Sequence, residues 1–493
     1  MDAKEALALV DKIYARLRSR RPEIDKSERY YAGDQALTFA TDEWMKANGA
    51  RYAEFSDNWC ASVTNAEAER IGVIGIKLRG EDPLKRDAGS QRRASELWDH
   101  WNRNEMAAQS SQGFLTSLNS KRSYVLVWGE DAEVTWEHPS NVEIEYDWMN
   151  PRKRKAALKT WVDESTEYAT LYTPESLWKF ERPRSGLANA QAAPQAVQMA
   201  QSGVGSVGAW RAREVAGEPW PVPNPMRVVP IVEVPNRPLL RGEPVSEIQT
   251  VMPKQNAINL IWAYSFFAAD YMSMPARVLL GAQPPMRPIL DAEGNVVGKE
   301  PITMAQLNEA RLAVFSGEHA KIDQWSPASV EGFMDLIDVL VGHIAAQTRT
   351  PPTYLVTKTG MSNVNGEGLK ASEIGLVNKV LEFQTFATPE LREMFSLIAK
   401  AKGDEPLADE VRLSTIVWKN PEIKSEAQLA DMITKKRAAG YPLEWLMEQE
   451  GIDPYDMQRI KEMIKEEQKA ANDFGVEAAL NGEVEPTADE PAL

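Results

Sequence analysis

The chain has 493 residues, 43% of them hydrophobic, and a formal net charge of −16 from 56 basic and 72 acidic side chains, which is enough apolar material for about two to four packed domains or layers. Such acidity argues against tight adhesion to a phosphate backbone, which is driven by Lys and Arg displacing condensed counterions; it suits a surface that simply stays soluble, or one that a polyanion passes without sticking. The single cysteine, Cys60, excludes an internal disulfide and a cysteine-based zinc site, and the longest apolar-rich stretch, Ile258 to Ala269, is interrupted by Asn259 and Ser265 and falls short of the ~20 residues of a bilayer span, so no membrane partner is expected.

The opening MDAKEALALVDKIYARLRSRR is charged throughout, without an apolar h-region or a small-residue cleavage site, so the protein is expected to mature in the cytoplasm where it is made. Residues 2–33 read as two helices parted near Arg21-Pro22, with Gly33 as the stop of the second. Val63 to Arg70 continues helically, Ile71 to Leu78 alternates as a strand, and a helix covers about Gln91 to Arg103. Ser123–Trp128, Val134–Trp136, Val142–Tyr146, Ala157–Val162, Glu167–Tyr172 and Ser176–Glu181 then read as short strands separated by turn residues, the pattern of an antiparallel sheet. Gly186 to Gly208 is an Ala/Gln/Gly/Ser tract with too little apolar surface to offset its ordering entropy, and a mobile insertion is expected there. The proline-rich segment Pro219 to Pro244 leads to Ser246, a candidate N-cap.

In the second half, Ile248, Val251, Met252, Ile258, Trp262 and Phe266 recur at helical spacing, predicting a long amphipathic helix from Ser246 to about Met272, kinked or restarted at Pro253. A small α/β insert follows, with strands at Ala276–Leu280 and Ala313–Phe315 and a hairpin signal at Asp291 to Asn295. A second long helix is capped by Ser329, carries Val330, Phe333, Met334, Ile337, Leu340, Val341 and Ile344 on one face, and stops at Pro351-Pro352. The Gly/Asn/Ser-rich TKTGMSNVNGEG, Thr357 to Gly368, runs into a third helix over about Leu369 to Lys402, which Pro389 should bend, and Val411 to Trp418 reads as a returning strand. Ser425, Gly440, Pro442, Gly451 and Asp453-Pro454 punctuate C-terminal helices, and from Ala471 onward a frayed acidic tail without Lys or Arg is expected.

Motifs that would carry chemistry fail in context. Gly203-Val-Gly205-Ser-Val-Gly208 matches GxGxxG, but a Gln/Ala tract precedes it where a strand must deliver the pyrophosphate turn, so a linker is the better reading. Gly294-Asn-Val-Val-Gly298-Lys299-Glu300 has one residue too few for a Walker A loop and places a carboxylate where the Mg²⁺-binding hydroxyl must stand; a hairpin turn explains it better. His100, His138, His319 and His343 are scattered, His343 reading as a core or interhelical hydrogen-bonding residue. No GxSxG elbow occurs and Cys60 has no histidine near it in sequence. No catalytic residue, metal ligand or cofactor is therefore expected. Arg152-Lys-Arg-Lys155 is the sharpest basic cluster, a solvated hairpin end in the plain reading and a phosphate or capsid contact in the alternative.

Phe55-Ser-Asp-Asn58-Trp59-Cys60 with Ala68-Glu-Arg70 and Gly72, Pro235-Asn236-Arg237 before Ser246-Glu247-Ile248, and above all His343-Ile-Ala-Ala-Gln-Thr348-Arg349-Thr350-Pro351-Pro352 with Gly366-Glu-Gly368-Leu369-Lys370-Ala371-Ser372-Glu373 resemble the portal (head-to-tail connector) proteins of tailed phages, particularly long-tailed phages of actinobacteria. The similarity runs from about Arg29 to Glu467. It implies an α+β, portal-type subunit with a mixed α/β wing (1–245, with the insertion 186–208), a long helical stem (246–272 and 329–350), a small α/β clip (273–328), a tunnel loop, bent helix and returning wing strand (351–420), a helical crown (421–470) and an acidic tail (471–493). Subunits of this kind assemble into a closed ring, usually of twelve, with an axial channel. The resemblance implies a structural, non-enzymatic role in the virion, at the portal vertex of a capsid assembled in the host cytoplasm. It makes Thr357, Lys358, Thr359, Gly360, Met361, Ser362, Asn363, Val364, Asn365 and Gly366 the tunnel loop, and Lys358, Lys370 and Lys379 candidate channel bases for non-specific, transient contact with double-stranded DNA. It makes Pro284, Arg287, Asp291, Glu293, Asn295 and Lys299 the clip surface for the large terminase and later the head-completion adaptor proteins; the major capsid and scaffolding proteins are the remaining partners implied. The alternative is a minor capsid or scaffold-associated head protein that encloses no DNA, against which the strand-rich first half and the insert between the long helices count.

Overall fold

The computed structural model describes residues 1–35, 42, 45–46, 55–79, 88–183, 209–273, 277–280, 286–290, 294–301, 312–315, 321–324, 330–355, 366–422, 426–442, 445–447 and 459–470. They form two compact units between which the chain passes repeatedly: Met1–Lys26, Asn65–Ser246 and Leu376–Leu493 make the first, Ser27–Thr64 and Glu247–Gly375 the second.

In the first unit, strands β2 (Arg122–Trp128), β3 (Glu133–Glu137), β4 (Val142–Tyr146), β5 (Arg154–Val162), β6 (Thr166–Tyr172) and β7 (Ser176–Pro183) follow one another along the chain. Where one antiparallel sheet was expected, these strands divide between two. β2 lies between β3 and β10 (Ile231–Pro235), while β4 to β7 pair in sequence order and are extended by β8 (Arg211–Ala212) and β9 (Val222–Pro223), both on β7. The division follows side-chain alternation. In β5, Ala156 and Leu158 join a cluster with Ala6, Val10, Ile13 and Tyr14 of helix α1 (Ala3–Ala32), whereas Ala157 faces the cluster of Tyr124, Leu126 and Ile231. In β2, Tyr124 and Leu126 turn toward that cluster while Val125 and Val127 turn to the other side, so the strand is buried on both faces.

The largest core assembles on that other side. Val380, Phe383, Ala387, Leu391, Met394, Phe395 and Ile398 form a helical stripe along α8 (Gly366–Ala401), which contains Pro389. They pack against Leu97 and Trp101 of α3 (Ala88–Arg103) and Met106, Phe114 and Leu118 of α4 (Met106–Ser120). The residues of α4 were not expected to be helical. Its sequence MAAQSSQGFLTSLNS has weak propensity, and the helix forms because burial of its apolar positions outweighs that weakness. Its small residues let it approach neighbouring strands closely: an added Cβ on Gly113 would overlap the Trp136 indole, and the Ser117 hydroxyl donates to Val234 O at 2.8 Å.

Two further boundaries differ from expectation. α1 is one helix across Pro22; the proline removes one ladder hydrogen bond, yet Leu17 and Ile24 on either side are buried, and Gly33 stops the helix at φ +85°. The expected strand from Val411 is only β16 (Thr415–Trp418), paired antiparallel with β1 (Val73–Lys77). The preceding residues form the short helix α9 (Glu405–Val411), capped by Asp404, whose carboxylate accepts the Leu407 N–H at 2.9 Å. α10 (Glu426–Ala438) ends at Gly440, φ +91°. The tract 186–208 and the tail 471–493 lie outside the described residues.

The second unit contains α2 (Trp59–Ala68) up to Thr64, two long helices, α5 (Met252–Ser273) and α6 (Glu331–Thr348), the short helix α7 (Pro352–Leu355), and the start of α8. Between α5 and α6 in sequence come β11 (Arg277–Leu280), flanked by β14 (Leu312–Phe315) in parallel and β15 (Lys321–Gln324) antiparallel, and the hairpin β12 (Met286–Leu290) with β13 (Val296–Pro301).

Candidate functional site

The long helices of the second unit are joined by an apolar seam. Ile248, Val251, Met252 and Ile258 meet Ile337, Val341, Ile344 and Ala345, with Tyr30, Cys60, Val63 and Leu355 completing the cluster. At the polar margin, Lys254 Nζ donates to Gln347 Oε1 at 2.5 Å. α5 begins at Met252 rather than at Ser246. Pro253 thus falls in the first turn, where its missing N–H has no ladder partner to lose, and the buried Ser246 hydroxyl, in the first unit, donates to Asn119 O at 2.7 Å instead of capping a helix. α6 ends at Arg349, φ 55°, whose N–H returns to Ala345 O.

Buried amides on the inner side of α5 hold Phe55 to Trp59 in place. Gln255 accepts the Trp59 N–H at 2.8 Å and donates to Asp57 O at 2.5 Å and Asn259 Oδ1 at 2.9 Å; Asn259 donates to Gln35 Oε1 at 2.7 Å. Asp57 in turn accepts both indole N–H groups, from Trp59 and from Trp262, each at 3.0 Å. Phe55 lies edge-on to Phe266 and Trp262, with centroids at 4.9 and 5.9 Å. The Tyr30 hydroxyl donates to Asn256 Oδ1 at 2.8 Å. These contacts give the Phe55–Cys60 signature a physical meaning: it is the strap that the first long helix grips. Sequence reasoning passed over Gln255 and Asn256 and noted Asn259 only as an interruption of an apolar stretch, although three amides within five positions of an otherwise apolar helix were a signal that each must find a partner. Burial pushes the Cys60 thiol up to about 12, so it is an inert packing group rather than a nucleophile.

The structure locates the sequence-predicted site residues in different places. Arg287 and Glu300 face each other across β12–β13 and form an ion pair; Lys299 and Asn295 are exposed on the same hairpin, and Gly294 takes φ +86° at its turn. Met286, Ile289, Val296 and Val297 of this hairpin are also exposed. Pro284, Asp291 and Glu293 lie outside the described residues, as do Thr357, Lys358, Thr359, Gly360, Met361, Ser362, Asn363, Val364 and Asn365. Gly366 is the first residue of α8, and Lys370 lies one turn further on. Lys379 differs from its expected role as a channel base. In the first unit its side chain is 2% exposed and pairs with the equally buried Glu67 at 2.8 Å, so the subunit spends this charge internally. His343, expected as a core or interhelical hydrogen-bonding residue, is exposed on α6, because the buried seam passes through its neighbours Val341 and Ile344.

Among the described residues, no group of three or more His, Cys, Asp or Glu side chains is placed to hold a metal ion, and no helix is long and apolar enough to cross a membrane. What the second unit offers chemically is a stiff pair of helices, a strap locked to one of them, and an exposed hairpin carried between them in sequence.

Comparison with known proteins adds independent information. The family model described as "Phage portal protein, SPP1 Gp6-like" matches residues 10–470. The portal protein of Mycobacterium phage L5 is 25% identical over 415 residues, covering 80% of this chain and 73% of the relative. That of Mycobacterium phage D29 is 25% identical over 390 residues, covering 75% and 70%. Among solved structures, a chain from the neck of a native GTA particle computed with C12 symmetry aligns over 83% of this chain and 92% of its own, at 13% identity and a TM-score of 0.39.

Proposed function

Because the chain belongs to the SPP1 Gp6-like phage portal protein family, we propose that it forms a closed ring of twelve subunits at one capsid vertex. Double-stranded DNA enters through the axial channel of this ring during packaging and leaves through it at ejection. The observation that carries the reading is the second unit's pair of long helices, of 22 and 18 residues, cemented by a shared apolar seam and bracketing a strand module in sequence. At 1.5 Å per residue they are rods of about 33 and 27 Å, stiff enough to line a conduit when repeated around an axis.

In this reading α5 and α6 are the stem, residues 273–328 the clip, 357–366 the tunnel loop and 421–470 the crown. The clip docks the large terminase and then the head-completion proteins, while the wing and crown meet the major capsid and scaffolding proteins. The role is structural and not catalytic. DNA is held without sequence readout: the chain's net charge of −16 keeps the wall weakly repulsive, and Lys358 and Lys370 supply local phosphate contacts.

Negative-stain class averages of the purified chain, paired with light scattering after size exclusion, test this. Discrete rings with a central hole and twelve-fold averages are expected. Monomers, dimers or open aggregates without a pore would favour a minor head protein that never encloses DNA.

A further inference from the structure

The turn between β4 and β5 carries the most exposed described tryptophan. Trp148 is 87% exposed and Met149 76%, whereas the next most exposed described tryptophan, Trp445, is at 39%. Both sit in a turn whose backbone is held in place. Asp147 Oδ1 accepts the Met149 N–H at 2.9 Å, Asn150 Oδ1 accepts the Arg152 N–H at 3.2 Å, and Asp147 N donates to Lys153 O at 2.8 Å. Behind the two apolar side chains come the exposed Arg152, Lys153 and Lys155, while Arg154 turns inward to pair with Glu393 at 2.5 Å. None of the three outward bases forms an ion pair with a described residue, although the charge of Arg152 is felt at Glu390.

Such a tip costs solubility unless something covers it. A fixed backbone presenting Trp and Met beside uncompensated bases, on a chain of net charge −16, is a local inversion of the protein's field. Trp, Met and Arg are also types enriched at protein interfaces. The bases select a negative partner. The adjacent Trp148 and Met149 require that the partner also offer apolar side chains, which the sugar-phosphate exterior of duplex DNA does not, and three bases by themselves give a polyanion little counterion-release gain.

We propose that the β4–β5 tip is a docking site for an acidic segment of another protein, one that inserts an apolar side chain against Trp148 and Met149 and sets carboxylates against Arg152, Lys153 and Lys155. The site belongs to the first unit.

A photo-reactive amino acid at position 149 of the full chain, co-expressed with the other structural proteins of its particle, tests this. Cross-linked peptides are sequenced from assembled particles and, separately, from the unassembled pool. The portal reading fails if the chain is absent from particles, which is scored independently of what position 149 touches. The docking proposal predicts cross-links, in either pool, to a segment of a different protein with an excess of Asp and Glu. That segment, made as a labelled peptide, should bind the purified chain with an affinity that falls at least tenfold in Trp148→Ala. Binding should be lost in Arg152→Glu/Lys153→Glu/Lys155→Glu and weaken as salt rises. Cross-links only to DNA or to another copy of this chain, no cross-link in either pool, or peptide binding indifferent to both variants, would each overturn it. Unchanged melting of both variants excludes misfolding as the cause of any loss.

Discussion

Lys379 and Glu67 form an ion pair at 2.8 Å in which the side chains are 2% and 1% exposed, joining α8 to α2 inside the first unit. Two opposite charges taken so far from water stabilise little in sum, but removing one leaves the other buried without its counter-charge. Lys379→Met should therefore lower stability by about 3–5 kcal/mol, read from urea unfolding. The double variant Glu67→Leu/Lys379→Met should recover most of that loss. A single variant as stable as the parent would mean that water or another base reaches Glu67.

Glu390 gives the first unit a pH-dependent element. Burial pushes its carboxyl from an ordinary 4.5 up to about 7; Arg154 opposes the shift, while Glu233 and Glu393 add to it. Between those two values the folded chain holds a proton that the unfolded chain has released. The contribution to stability is thus fully present below about pH 4.5 and is lost as pH rises through about 7. Glu390→Gln, which stays neutral, should gain stability relative to the parent progressively from pH 5 to 8, followed by urea midpoints across that range. A difference between the two that stays constant with pH would show that the carboxyl is ionised throughout.

How much of this was legible in sequence depends on whether the deciding interaction was local. β4, β6 and β7 were readable to within a residue or two because alternation and turn residues are local signals, and the stripe from Val380 to Ile398 likewise announced a helix. The break placed at Pro22 misread a local cost that burial of Leu17 and Ile24 outweighs. α4 was invisible because its helicity is imposed by packing partners such as Trp136 rather than by propensity. Lys379 read as a surface base because a lysine in a helix ordinarily is one, and nothing near it in sequence points to Glu67. The division of the strands into two sheets rests on which face of β5 meets α1, a question only tertiary contacts answer.

Gly113 is set by its neighbour. A Cβ there would overlap the indole of Trp136, which is itself fixed by donating to Ser123 Oγ at 2.7 Å and by edge-on contact with Phe114 at 5.2 Å. Gly113→Ala gains helix propensity but must displace that ring, so a net loss of about 1–3 kcal/mol is expected. Thermal unfolding checks the sign. Trp136→Phe, which opens room, should shrink the penalty of the alanine in a double-variant cycle.

The amides of α5 carry the next prediction. Gln255→Leu preserves volume but removes the side chain's bonds to the Trp59 N–H, the Asp57 carbonyl and Asn259, leaving the first two only their 3.1 Å bond to each other. Each hydrogen bond so lost costs about 0.5–1.5 kcal/mol. Part of that cost can be avoided by releasing the strap, so amide hydrogen exchange at residues 55–59 should accelerate at least tenfold while exchange along the α6 seam changes far less. Uniform acceleration through the unit would mean that the strap and the helices open as one.

The last prediction separates the lysines assigned to the channel. Counterion release makes the logarithm of a DNA-binding constant fall with the logarithm of salt concentration, with a slope of about 0.9 for each phosphate neutralised. If Lys358 meets the backbone of passing duplex, Lys358→Ala in the assembled ring should flatten that slope by about 0.9 for every copy in contact. The effect should be equal for duplexes of different sequence, since no base edge is read. Lys370→Ala should behave in the same way if it shares the role. The Glu67→Leu/Lys379→Met double variant, whose charges pair with each other inside the first unit, should leave the slope untouched. A slope that responds to the buried pair and not to Lys358 would move the DNA contact away from the segment preceding α8 and reassign the channel wall.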